Sequence, residues 1–220
     1  MMKKILGVSV LLAGMALLWT TSKPVLAEEL AATPQSPVKS LSSGPRQAIE
    51  HLDEALLASM KSAKKIGYKG RYRQLAPVVD KVFDFSSIAA VSMGTYWTKL
   101  DPAQQSELVT TLRDYTIATY AFRFDNYSGE QFSIKSVQHL EPNVEVVYCT
   151  FTEASGEVHT FDYMMRSKAG SWRIINVVAD GVSDLALKQA EFTHLMKLKG
   201  FGSLIDNLKN RITYMANTGQ

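Results

Sequence analysis

Residues 131–179 read QFSIKSVQHLEPNVEVVYCTFTEASGEVHTFDYMMRSKAGSWRIINVVA, and the period of this stretch decides the fold class. Apolar and polar side chains alternate here with period two, the mark of extended chain with one buried face. The pattern predicts four strands, Phe132–His139, Val144–Thr152, Val158–Ser167 and Trp172–Ala179. Turn-forming separators divide them: Glu141-Pro142-Asn143, Ala154-Ser155-Gly156 and Lys168-Ala169-Gly170. Connections this short join antiparallel neighbours, because a parallel pair needs a crossover of about a dozen residues or more.

On either side the period lengthens to steps of three and four. Pro45 opens a helix whose apolar stripe is Ile49, Leu52, Leu56, Met60, Ala63 and Ile66, and Gly67 ends it. A shorter helical stretch is expected from Arg73 to Val82, and Asp84 caps another from Phe85 to Met93, where Gly94 breaks it. Asp101-Pro102 with Gln104 is a strong helix start, with Asp at the N-cap, Pro at the first helical position and Gln three residues after the cap. That helix sets Leu108, Leu112, Tyr115, Thr119 and Phe122 along one side. Downstream, Ser183 caps a helix that runs to Lys199 and stops at Gly200, and a last helix carries Leu204, Ile205, Leu208, Ile212 and Met215. Helices, a contiguous antiparallel sheet and helices again make an α+β chain.

At 220 residues, 46% hydrophobic and 20% charged, the chain is sized for one domain plus a leader. Lys3 and Lys4 precede an uncharged apolar run, Ile5 to Trp19, and the polar stretch after it closes on Val25-Leu26-Ala27. This is the plan of a cleavable signal peptide, residues 1–27, with the cut after Ala27. Fifteen apolar residues fall short of the roughly 20 that a bilayer span requires. Export from the cytoplasm is therefore expected, followed by a flexible Ala/Ser/Thr/Pro leader over 28–44 and a single domain over 45–217. Removing Lys3, Lys4 and Lys23 from the 24 basic residues leaves 21 against 21 acidic ones, so global charge does not point to nucleic acid.

Reactive chemistry finds little support. The single cysteine, Cys149, excludes an intrachain disulfide and a cysteine zinc site, and its place in a strand beside Tyr148 and Phe151 predicts an inert buried thiol. His51, His139, His159 and His194 form no metal-binding helix pair. His159 would serve as a base only with an orienting carboxylate, which the neighbouring sequence does not specify. Gly200-Phe201-Gly202 follows a helix and reads as a stop, not as a phosphate loop. Neither metal nor cofactor is expected. Lys61, Lys64, Lys65, Lys69, Arg71 and Arg73 fall within thirteen positions without an acid, interleaved with Tyr68 and Tyr72. This stretch is open to three readings: a solvated face, a contact for anionic lipid headgroups, or a contact for an acidic partner.

The order and spacing of several segments resemble the MlaC family, also called the Ttg2D or toluene-tolerance group, the periplasmic auxiliary proteins of lipid-trafficking ABC transporters. They are Tyr72–Asp84, Leu100–Gln105, Tyr163–Arg166, Trp172–Ser183 and Lys199–Phe201, and the resemblance spans about Ala48 to Ile212. Tyr115–Tyr120, Arg123–Gly129, Leu185–Leu187 and Ala190–Phe192 look most like the hopanoid-associated HpnM branch. Asn176 stands where many relatives carry Asp.

The resemblance implies an α+β cradle of N-terminal helices, a four-stranded curved antiparallel sheet and C-terminal helices, enclosing lipid acyl chains without catalysis. It implies a monomer that carries a phospholipid or hopanoid, working with an inner-membrane lipid transporter complex and making transient contact with a membrane or envelope complex. The residues expected to touch lipid are Phe83, Phe85, Ile88, Trp97, Leu112, Tyr115, Tyr120, Phe161, Tyr163, Met165, Ile175, Val177, Phe192 and Phe201. On the third strand, period two puts Phe161, Tyr163 and Met165 on the inner face and Asp162 and Arg166 on the wetter one. On the fourth, Ile175 and Val177 are expected to join that inner face, with Ile174 and Val178 the competing choice. The rival reading is an exported α+β cavity enzyme acting on a small hydrophobic substrate, which the fold class alone accommodates.

Overall fold

The computed structural model describes residues 44–219, so the expected signal peptide and nearly all of the expected leader lie outside the described residues. The element order is α1 (Pro45–Val82), α2 (Phe85–Met93), a 3₁₀ segment (Gly94–Lys99), α3 (Pro102–Arg123), β1 (Gln131–Glu141), β2 (Val144–Thr152), β3 (Val158–Lys168), β4 (Ser171–Ala179), β5 (Val182–Ser183) and α4 (Asp184–Thr218). The sheet is an antiparallel meander in the order β1-β2-β3-β4-β5. It has five strands where four were expected. The two-residue β5 is added because the tight turn after β4 folds Val182 and Ser183 back onto Ala179 and Val178.

The caps behave as their residue types require. Asp84 accepts a hydrogen bond from the Ser87 amide at 3.0 Å, and Asp101 and Gln104 form a complete capping box at 2.8 and 3.1 Å. Gly67 and Gly200 break α1 and α4 at φ 60°, ψ −178° and φ 78°, ψ −179°. At Gly67 a Cβ would meet nothing within 4 Å, so the requirement for glycine there is the backbone conformation itself, a region essentially closed to other residues. The helix restarts at once, earlier than the expected Arg73.

The core lies between the helices and one face of the sheet. Ile49, Leu52, Leu56, Leu75 and Val79 of α1, with Leu108, Leu112, Ile117, Ala118 and Ala121 of α3, pack with Val147, Cys149, Tyr163, Met165 and Ile174. The buried side of α3 turns from Leu112 to Ile117, Ala118 and Ala121, leaving Tyr115, Thr119 and Phe122 only half-buried. On β4 the inner position is Ile174, not the expected Ile175. Tyr163 pairs with Val177 and Met164 with Asn176, but Met165 pairs with Ile174, so Ile175 is the extra residue of a bulge. One extra residue moves the following side chains to the opposite face, which is how Ile174 and Val177 come to share the inner side.

Arg71 departs from its basic neighbours. It is 1% exposed and donates from Nε to the Ala121 carbonyl at 2.8 Å, from Nη2 to Gly219 at 3.0 Å and from Nη1 to Ala63 at 3.4 Å. Those carbonyls lie at the C-terminal ends of α3, α4 and the first half of α1, where four oxygens per helix lack an intrahelical donor. One guanidinium thus serves three helix ends, and its charge opposes three partial negative poles. Gly219 approaches so closely that a Cβ would lie 2.7 Å from the Met215 carbonyl and 3.0 Å from Tyr68 and Phe122. Arg173 has a related role at the other end of α1, donating to the carbonyls of Asp80 and Phe83, both at 3.2 Å.

Candidate functional site

A slot opens between α3, the inner faces of β3 and β4, and the start of α4. Its volume is about 190 Å³, and its walls include Phe83, Tyr120, Phe124, Phe161 and Val177. Each wall residue is placed by a local rule. Phe83 ends α1 and is fixed to the sheet by its bridge to Ile174 and by the Asp84 amide donating to the Ile174 carbonyl at 2.9 Å. Tyr120 and Phe124 stand one helical turn apart at the end of α3 and stack at 5.8 Å. Phe161 and Val177 take diagonal positions on β3 and β4, where Phe161 pairs with Ala179 and Val177 with Tyr163.

The rings continue beyond the slot in an unbroken series. Phe85 stacks on Phe83 at 5.5 Å, Phe83 meets Tyr120 at 6.1 Å, and Phe124 meets both Phe132 (5.9 Å) and Phe151 (5.7 Å). Phe132 and Phe151 face each other across β1 and β2 at 4.8 Å. Such pairs hold by area and quadrupole, without a single required geometry.

The rim is polar. Arg123 is exposed, and Lys188 is paired with Asp184 while its ammonium lies 6.0 Å from the centre of the Tyr115 ring. Asn176 supports this rim by accepting hydrogen bonds from the Ser183 hydroxyl (3.1 Å) and the Leu185 amide (3.2 Å), so it helps cap α4. Burial, with Asp184 and Asp53 adding to it, pushes the Tyr120 hydroxyl above its ordinary range and keeps it protonated. Burial also holds the Tyr163 hydroxyl well above its ordinary range and lifts the Cys149 thiol to about 12, so this thiol is not a nucleophile at neutral pH.

Of the residues chosen from sequence, Phe83, Tyr115, Tyr120, Phe161 and Val177 come together at the slot. Phe85, Ile88, Leu112, Tyr163, Met165 and Phe192 are closed core, each under 9% exposed. Trp97 and Phe201 are half-buried at its edge, and Ile175 is buried but outside the main cluster because of the bulge. Sequence reasoning missed Phe124, Thr116, Thr119, Arg123 and Lys188. Phe124 carried the usable signal, since it lies four residues after Tyr120 on the same helical face.

Two features lie apart from the slot. Asp53 is 7% exposed, its Oδ1 has no hydrogen-bond partner, and burial with repulsion from Glu50 and Glu54 raises its pKa to about 7. His159 does have an orienting carboxylate, supplied by Asp180 across the sheet, whose Oδ2 lies 2.8 Å from Nδ1. The other ring nitrogen faces Glu153 at 3.3 Å and Glu157 at 3.9 Å, and these interactions raise the imidazole pKa.

Against this geometry, the family model described as "MlaC protein" matches residues 50–210. The chain belongs to the MlaC family. The fold agrees with that membership. A solved structure, the phospholipid-binding protein from Ralstonia solanacearum in complex with a phospholipid, matches with a TM-score of 0.66 at 21% sequence identity. The match covers 78% of this chain and 98% of that one. At that identity it establishes a shared α+β architecture, with the MlaC-type sheet and its helices arranged alike.

Proposed function

We propose that this MlaC-family protein is a non-catalytic lipid carrier that encloses acyl chains in the slot between α3 and the sheet. The observation that carries the reading is the slot's construction: aromatic and aliphatic walls from α1, α3, β3 and β4, with cations only at the rim. Each methylene withdrawn from water is worth about 0.8 kcal/mol, so a sixteen-carbon chain needs an apolar host worth on the order of 12 kcal/mol to leave a membrane. A host of that kind requires no reactive group. The slot lining holds neither His nor Cys, and its one carboxylate, Asp184, is neutralised by Lys188.

At about 190 Å³ the slot is smaller than the roughly 300–1,000 Å³ of ordinary ligand sites, so loading a lipid requires its walls to part. Stacked rings permit this, since Tyr120, Phe124 and Phe161 can rotate without breaking a hydrogen-bonded network. The headgroup would then rest among Arg123, Lys188 and the start of α4. The mature protein works in the periplasm after cleavage behind Ala27, moving a phospholipid or a hopanoid between membrane-embedded components. The HpnM-like segments favour the hopanoid branch. A phospholipid bound in the Ralstonia solanacearum relative of the same fold supports the lipid reading in general.

The test is extraction of detergent-free protein into organic solvent, with native mass spectrometry of the intact complex. One lipid of defined mass per chain is expected, and its mass separates phospholipid from hopanoid. Protein that stays empty after incubation with vesicles containing both would end the carrier reading.

A further inference from the structure

The basic stretch of α1 is sorted by the fold into two kinds of residue. Arg71 turns inward to the three helix ends, whereas Lys61, Lys64, Lys65, Lys69 and Arg73 are all exposed. Between Glu54 and Asp80 the chain has no acid, and none of these five cations joins an ion pair among the described residues. Lys61, Lys64 and Lys65 share a face by their three- and four-residue spacing, and Lys69 and Arg73 share one beyond the break at Gly67. Like charges four residues apart repel each other, so the isolated helix gains nothing from this arrangement.

Amphipathic rings accompany the charge. The Lys61 ammonium lies 5.1 Å from the centre of the Tyr127 ring, which is 38% exposed. An open groove of about 720 Å³ runs beside Lys69 and Arg73, lined also by Tyr68, Tyr72, Ile212, Lys209 and one carboxylate, Asp114, which accepts from the Tyr72 hydroxyl at 3.1 Å and is paired with Arg113. Near it Tyr214, 63% exposed, packs its ring 6.5 Å from Phe122. The exposed rings of Tyr127 and Tyr214 suit the headgroup level of a bilayer, where a ring keeps one end apolar and the other wet. Tyr127 also lies only three residues past Phe124 of the slot wall in the chain.

We propose that the outer face of α1 around Gly67 docks on the anionic headgroups of a phospholipid bilayer. The proposal builds on the carrier reading by naming the surface through which the slot meets a membrane. Once the first 27 residues are removed the basic and acidic residues balance, so attraction would come from this face and not from the net charge. Each cation held near an anionic surface strengthens binding roughly fivefold, and salt weakens the effect.

The experiment is co-sedimentation of the mature protein with phosphatidylcholine vesicles, with and without 30% phosphatidylglycerol, at low and at high salt. Wild type should bind the anionic vesicles at least tenfold more tightly than the neutral ones, and lose most of that preference in high salt. A quadruple variant, Lys61→Gln, Lys64→Gln, Lys65→Gln and Lys69→Gln, should lose at least tenfold in anionic-vesicle binding with its circular dichroism unchanged. A control removing the same charge elsewhere, Lys135→Gln, Lys168→Gln, Lys197→Gln and Lys199→Gln, should keep wild-type binding. Equal binding of wild type to both vesicles would overturn the proposal. So would equal losses in both variants, or a face that fails on vesicles yet is needed for binding a purified acidic protein. Lipid content of each sample is read separately by extraction, so an empty slot would count against the carrier reading without deciding the docking face.

Discussion

The junction around Arg71 and the slot around Tyr120 solve opposite problems within one turn of α3. At the junction, three carbonyls each accept a directed hydrogen bond from one buried guanidinium, and the geometry has a single solution. At the slot, the walls are rings in contact at 5–6 Å, and many ring orientations have nearly the same energy. The α3 carbonyl that binds Arg71, on Ala121, is next in the chain to Tyr120 of the slot wall. A polar anchor fixes where the helices end, and that lets the apolar surface beside it remain adaptable. Directional bonds give specificity at the anchor, and non-directional burial gives tolerance at the site.

The strongest way to break this contrast is to put charge into the core under the slot. Met165→Arg places an unpaired guanidinium at a position with no exposure, and Met165 does not line the slot, so the protein should fail to accumulate. Phe161→Arg, on the same strand face but at the slot wall, should fold, because its long side chain can reach the wet rim, and should lose extractable lipid. Circular dichroism and lipid extraction on both variants check the pair.

Removing the anchor comes next. Arg71→Leu leaves three helix-end carbonyls buried without donors and should cost roughly 5 kcal/mol in denaturant unfolding. Arg71→Lys keeps the charge but cannot span the three acceptors, and should recover less than half of the loss.

Asp53 sharpens the contrast from the opposite side, since it is a buried polar group without an anchor's partners. Its unfolded pKa is near 3.8 and its folded value about 7, so between those pH values the folded protein binds more protons than the unfolded one. Stability should therefore fall as pH rises from about 4 to about 7. At 1.36 kcal/mol per pKa unit the change amounts to roughly 4 kcal/mol. Asp53→Asn should flatten that dependence, which thermal melts at pH 5 and pH 8 would show.

The smallest effect belongs to the exposed cluster at the far end of the ring series. The raised pKa of His159 means that its pairing with Asp180 stabilises below the unfolded value near 6.5 and is lost as pH rises through the folded value. Asp180→Asn should cost under about 1 kcal/mol at pH 5.5, the pair being partly solvent-screened, and less at pH 8.

Much of the architecture was legible because it depends on local chemistry. The capping box at Asp101, the helix breaks at Gly67 and Gly200, and the alternation along β2 and β3 each involve residues a few positions apart. The bulge at Ile175 was not legible, since Ile174 and Ile175 are equally apolar and only the pairing with Met165 selects between them. β5 escaped notice because two residues make no period.

The sequence by itself determined the α+β class, the helix starts and stops, and the apolar face of β3, because sterics and hydrogen bonding within a few residues leave one choice. Only the tertiary structure decided which apolar residues became wall and which became core, since that depends on how closely α3 approaches β3 and β4. It also turned Arg71 inward among five exposed cations, because three helix ends many residues apart in sequence converge on it.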